Sequence, residues 1–141
     1  MRKPAKQDLQ RRLQECRKQY ASAKARIRKV GFICEGSLVE RWMACGKPNC
    51  RCSTDPTYRH GPYHQLSWKE RGKTVSRRLP PEQARLYQEW IANRRQLDAL
   101  LDDLKAVSRE AGRYLLDAAA DSAQDAVALS QRPRSRRPRR P

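Results

Sequence analysis

Between Cys45 and His60 the chain reads Cys45-Gly46-Lys47-Pro48-Asn49-Cys50-Arg51-Cys52 and then Tyr58-Arg59-His60-Gly61-Pro62-Tyr63. Three of five cysteines and one of two histidines therefore fall in one short stretch rich in turn residues. Zinc takes four soft or borderline ligands in a tetrahedron, and a turn built on Gly46, Pro48 and Asn49 folds Cys45 back towards Cys50 and Cys52. His60 is the natural fourth ligand, so Cys45, Cys50, Cys52 and His60 are the expected metal set and zinc the expected cofactor. A single residue separates Cys50 from Cys52, where structural zinc sites usually leave two to four, so the clustering carries the assignment more than the spacing. Cys34, in Gly31-Phe32-Ile33-Cys34-Glu35-Gly36, and His64 remain alternatives to His60. His64 alternates with Leu66 and Trp68 on an apolar strand face, which favours a packed histidine.

Disulfides are the weaker reading of the same cysteines. The N-terminal Met-Arg-Lys-Pro-Ala-Lys-Gln-Asp has no apolar run behind its basic start, and no later segment is long enough to span a membrane. The expected compartment is the cytoplasm, where thiols persist and clustered cysteines bind metal more often than they cross-link. Cys16 lies on an apolar helical stripe and reads as a core residue.

The formal net charge is +17 over 141 residues, and it is uneven. Residues 1–30 hold 11 Lys/Arg against 2 Asp/Glu, whereas residues 81–130 hold 6 against 9. The last 11 residues add 6 arginines and no acid. A polyanion is the economical partner for such an excess, and nucleic acid is the commonest, with DNA favoured over RNA here. A membrane surface is disfavoured, because the basic helix has no broad face of Trp, Phe and Leu to enter lipid. Lys47, Arg51 and Arg59 around the metal loop, with Lys73, Arg77 and Arg78 on the last strand, are the expected phosphate contacts.

The periodicities set the architecture. Leu9, Leu13, Cys16, Tyr20, Ala23, Ile27 and Val30 recur every three or four residues, a narrow helical seam that needs a partner helix. Residues 31–80 read as a zinc-stabilised module in which Ser37 to Ala44, the segment through His64, Leu66 and Trp68, and Lys73 to Leu79 form a three-stranded antiparallel meander. Glu70-Arg71-Gly72 is its expected hairpin loop. Its apolar inventory is small, with Trp42 and Trp68 both read as core, so the metal is expected to supply much of the folding free energy. Pro80-Pro81-Glu82 opens a long helix over residues 81–121, with Trp90, Leu97, Leu101, Leu104, Ala111, Leu115 and Ala118 on its stripe. Its acids Asp98, Asp102, Asp103 and Glu110 complement the basic first helix, 1–30, and predict antiparallel pairing and a homodimer through the uncovered stripe. Residues 122–141 read as a disordered basic tail. The fold class is thus α+β.

Enzymatic readings find little support. Gly72-Lys73-Thr74 has the ending of a phosphate-binding loop, but Ser67 stands where the loop needs glycine, and the segment reads as a hairpin. The cysteines are better employed as ligands than as nucleophiles, and no carboxylate is built into the cluster as a general base. No catalytic residue is assigned.

The set Gly36-Ser37-Leu38, Cys45-Gly46-Lys47 with Cys50 and Cys52, His60-Gly61-Pro62-Tyr63, Gly72-Lys73-Thr74 and a long helix resembles an uncharacterised prokaryotic family of small cysteine-containing proteins. That family is known as a domain of unknown function and is often met near transposases and other mobile-element genes. The resemblance covers about residues 31–110 and implies a setting without implying an activity. Together these readings give a non-enzymatic, zinc-stabilised nucleic-acid-binding accessory protein linked to a mobile element. The alternative is an adaptor whose long helix docks a partner such as a transposase.

Overall fold

The computed structural model describes residues 5–131. Along the chain come α1 (Lys6–Arg28), β1 (Ser37–Met43), β2 (His60–Glu70), β3 (Lys73–Leu79) and α2 (Pro81–Ser130), with two 3-10 turns at Arg51–Ser53 and Pro56–Tyr58. These residues form two compact units. One spans Arg26–Leu100, and the other takes the chain up to Ala25 together with the part from Leu101 onwards. The helix α2 therefore contributes to both.

In the Arg26–Leu100 unit the sheet has the order β1-β2-β3, antiparallel throughout. Leu38 stands opposite Leu66 and Leu66 opposite Arg77, and the next positions on that face are His64, Trp68, Val75 and Leu79. This inner face meets the start of α2. Leu66, Leu79, Ala84 and Ile91 are buried together, and Cys34, Leu38, Trp68 and Tyr87 pack against them. Pro81 occupies the first helical position and Glu82 the first turn, so the helix opens as its sequence signals require. The strap before β1 is tied to α2 by Cys34 N–H donating to the Trp90 carbonyl at 3.2 Å and by Asn93 Nδ2 donating to the Phe32 carbonyl at 2.9 Å.

Several expectations shift. The β2–β3 loop is the two-residue Arg71-Gly72, with φ of 50° and 78°, because Glu70 and Lys73 already pair. Two positive φ values in succession match the right-handed twist of the strands they join. Trp42 is 56% exposed, whereas Trp68 packs on the core as expected. The register slips between Arg41 and Met43, which carries Trp42 out of the regular alternation. On α2 the buried positions are Ala84, Ile91 and Leu100, while Leu101 and Leu115 stay largely exposed. At the start of α2 the covered face is turned from the expected stripe, because Ala84 and Ile91 meet Leu66 and Leu79, while Trp90, Leu97, Leu104, Ala111 and Ala118 of that stripe are half-buried.

The second unit pairs α1 with the later part of α2. Tyr20 and Cys16 share a hollow with Val107, Ser108 and Ala111, while Lys6 and Leu9 share another with Ala118 and Asp125, so the helices run antiparallel. Cys16 and Ala23 are buried, as the seam requires. Asp8 accepts from Arg11 and Arg12, and the Tyr114 hydroxyl donates to Glu110 at 3.1 Å. Asp98 and Asp102 pair with Arg94 and Lys105 on their own helix instead of reaching α1. The helix also continues past residue 121 to Ser130, through the expected start of the tail. Alanines 118–120, 123, 126 and 128 sustain it there, since helix propensity needs no apolar stripe. The rest of the expected tail, 132–141, lies outside the described residues.

Candidate metal centre

Strand pairing gathers the cluster. Met43 at the end of β1 pairs with His60 at the start of β2, so the intervening loop must leave and return to one place with Cys45 at its exit. Gly46, at φ 78°, allows the first bend. Cys50 N–H then closes a turn on the Lys47 carbonyl at 3.2 Å. The 3-10 turn Arg51–Ser53 follows, held by Ser53, whose hydroxyl donates to the Cys50 carbonyl at 2.8 Å. Cys50 stands just before this turn in extended backbone, with φ −86° and ψ 138°, and Cys52 lies inside the turn, so the change of backbone direction between them lets both thiols reach one place with a single residue between. The Asp55 carboxylate caps the next turn, accepting from Thr57 N–H at 2.9 Å and from its hydroxyl at 2.7 Å.

The ligand atoms of Cys45, Cys50, Cys52 and His60 all lie within 4.8 Å of one another. Cys50 Sγ is 3.3 Å from His60 Nε2, and Cys52 Sγ is 3.4 Å from Cys45 Sγ. A tetrahedral ion with bonds of about 2.0–2.3 Å needs ligand edges of roughly 3.3–3.8 Å, so the four donors could hold a metal ion. Cys52 is buried, and its sulfur accepts from the Cys45 backbone N–H at 3.3 Å.

The local field separates the thiols. The Cys52 backbone N–H, then the Cys52 and Cys45 side chains, draw the Cys50 thiol below its ordinary value. Cys52 feels a downward pull from the Cys45 backbone N–H, but burial and the neighbouring Cys50 and Cys45 side chains leave it above the ordinary range. Of these two, Cys50 is the readier to ionise, the first requirement of a metal ligand. Asp55 is held low by the Thr57 hydroxyl and N–H, which fixes it as a cap.

The alternatives to His60 are both elsewhere. Cys34 packs on the core with Sγ directed to the Glu35 carbonyl at 3.1 Å, and His64 sits on the inner sheet face opposite Glu40 and Leu79.

Of the expected phosphate contacts, Lys47, Arg51 and Arg59 are exposed on the metal loop, with the Arg51 guanidinium 4.4 Å from the centre of the Tyr58 ring. Lys73, Arg77 and Arg78 are exposed on β3, but they do not all face the same side of the sheet. Arg77 and Lys73 share the inner-face side of the strand, while Arg78 projects to the outer side with Gln65. Arg41, absent from the expected set, is on that same outer side opposite Tyr63. The alternation of β1 was the signal that placed it there.

A family model described as Domain of unknown function (DUF6788) matches residues 6–89. The match takes in α1, all four clustered ligands and the opening of α2. Neither a curated protein nor a solved structure matches the chain.

Proposed function

The chain belongs to the DUF6788 family, and from that premise we propose that it is a non-enzymatic, zinc-stabilised nucleic-acid-binding accessory protein. The observation that carries the reading is the convergence of three thiols and one imidazole from a loop otherwise stocked with Lys47, Arg51 and Arg59. Thiolates with imidazole suit zinc better than magnesium or calcium, which want oxygen ligands. Four protein ligands fill a tetrahedron, which is the pattern of a structural site, and the ion supplies cross-linking of the loop to the sheet. The sheet gains most from this, since its core is the few residues around Leu66 and Leu79. The charge of +17 supplies the attraction to a polyanion. The link to mobile elements rests on the family resemblance of the motif set.

The testing experiment is binding of metal-loaded full-length protein to duplex DNA, single-stranded DNA and RNA at two salt concentrations, repeated after chelation. Salt-sensitive binding that weakens on chelation supports the reading, and no binding at low salt removes it. A second reading is an adaptor that works through α2, favoured by Leu116 and Leu129 at 71% and 64% exposure. The expected homodimer through the uncovered stripe of α2 is separate from both readings, and light scattering that gives a concentration-independent monomer mass removes the dimer alone.

A further inference from the structure

We propose that the nucleic-acid backbone is received on the outer face of the sheet, in the hollow lined by Arg41, Met43, Tyr63, Gln65, Ser76 and Arg78; this rests on the nucleic-acid reading above. The register puts these side chains on one surface. Arg41 stands opposite Tyr63 and Gln65 opposite Arg78, and the neighbouring outer positions are Val39, Ser67, Lys69, Thr74 and Ser76. The inner face is occupied by α2 through Leu66, Leu79, Ala84 and Ile91, so the outer face is the one a ligand can reach.

The charge on this face is of one sign. Glu40 and Glu70 both fall on inner positions, opposite His64 and Lys73, and no strand position of the outer face holds Asp or Glu. Neither Arg41 nor Arg78 enters a salt bridge among the described residues. Two guanidinium groups without carboxylate partners, close enough to line one hollow of about 300 Å³, are drawn to an anion. Arg78 is also held in place, its guanidinium 4.4 Å from the centre of the Tyr63 ring. Such stacking fixes the plane of the fork while leaving its N–H groups free for phosphate oxygens. Gln65 and Ser76 add a neutral amide and a hydroxyl, the donors that accompany arginine at phosphodiesters.

A polymer fits this face better than a free anion. Lys69 lies six residues from Tyr63 along β2, about 20 Å at 3.3–3.4 Å per residue, and its Nζ is steadied by the Thr74 hydroxyl at 2.8 Å. The basic positions thus run along the strand, as successive phosphates do. Between them the outer positions Ser67, Thr74 and Ser76 are small enough to let a backbone approach.

The test compares two double variants of the full-length, metal-loaded chain: Arg41→Ala with Arg78→Ala, and Lys73→Ala with Arg77→Ala. Each removes two charges, from the outer and the inner positions respectively. Binding to fluorescently labelled duplex and single-stranded DNA is followed by anisotropy across salt. The outer pair is expected to lose about tenfold or more in affinity and to flatten the log–log salt slope by about 1.8 on duplex DNA, with much smaller changes for the inner pair. Gln65→Glu, which keeps the side-chain shape and puts a negative charge in the hollow, is expected to weaken binding with metal content and thermal midpoint unchanged. Equal losses from both pairs, or wild-type binding by the outer pair and by Gln65→Glu, overturns the outer-face assignment while the nucleic-acid reading stands. If the wild type binds vesicles of phosphatidylglycerol and no nucleic acid, both fall.

Discussion

Cys50 Sγ and His60 Nε2 stand 3.3 Å apart although nine residues separate them in the chain. The contact exists because Met43 pairs with His60 and the loop between must close on itself. If a metal ion occupies the site, it ties the start of β2, at His60, to the loop that carries Cys45, Cys50 and Cys52. One zinc per chain is expected by elemental analysis. Cys50→Ser is expected to lose the ion and to lower the thermal midpoint, and chelation of the wild type should do the same. A Cys50→Ser protein that keeps both its zinc and its midpoint contradicts the four-ligand centre.

Two glycines of the recognised motifs have a steric reason for being there. At Gly36, with φ 115°, an added Cβ would sit 2.5 Å from the Ser67 carbonyl oxygen. At Gly61, with φ 153°, it would sit 2.7 Å from the Arg41 carbonyl oxygen and 3.1 Å from the Trp42 ring. Both obstacles include backbone that cannot swing aside. Gly36→Ala and Gly61→Ala are each expected to destabilise the sheet by about 1–3 kcal/mol, whereas Gly112→Ala, with open space around it, is expected to be neutral or stabilising. Urea midpoints of the three variants decide this.

The metal loop was legible because its chemistry is local: residue types that bind zinc sit close in sequence, and turn residues lie between them. The strands were legible too, since a period of two is readable over seven residues. What the periodicity could not give was which side of α2 is covered. Ala84 carries little apolar signal in sequence, but the sheet offers Leu66 and Leu79 at one azimuth and so selects Ala84 and Ile91 at the start of the helix. Trp42 escaped for a related reason, because the slip between Arg41 and Met43 breaks the alternation used to place it. The pairing of acids with the basic helix also failed at Asp98 and Asp102, since Arg94 and Lys105 on the same helix are nearer partners.

The rotated face of α2 can be measured. Ile91, 5% exposed and packed with Leu66, Leu79 and Ala84, is expected to cost about 2–5 kcal/mol on substitution to alanine. Leu116, 71% exposed, is expected to cost no more than about 0.5 kcal/mol in the same measurement. A large loss at Leu116 would show that the exposed part of α2 is covered in solution, as self-association or a docked partner requires.

Asp55 gives the metal loop a dependence on acid. The Thr57 hydroxyl and N–H hold its carboxyl below the ordinary value, so the folded loop prefers the ionised cap. A lowered folded-state value means that the stabilisation is complete above the unfolded value, about 3.9, and fades as the pH falls through the lower folded one. Asp55→Ala removes the cap at every pH. The gap in urea midpoint between wild type and Asp55→Ala is therefore expected to be constant from neutral pH down to about 4 and to close below it. Losses common to both proteins cancel in that comparison. A gap that does not narrow at all as the pH falls below about 4 would mean that the Asp55 side chain holds the turn by shape and not by its charge.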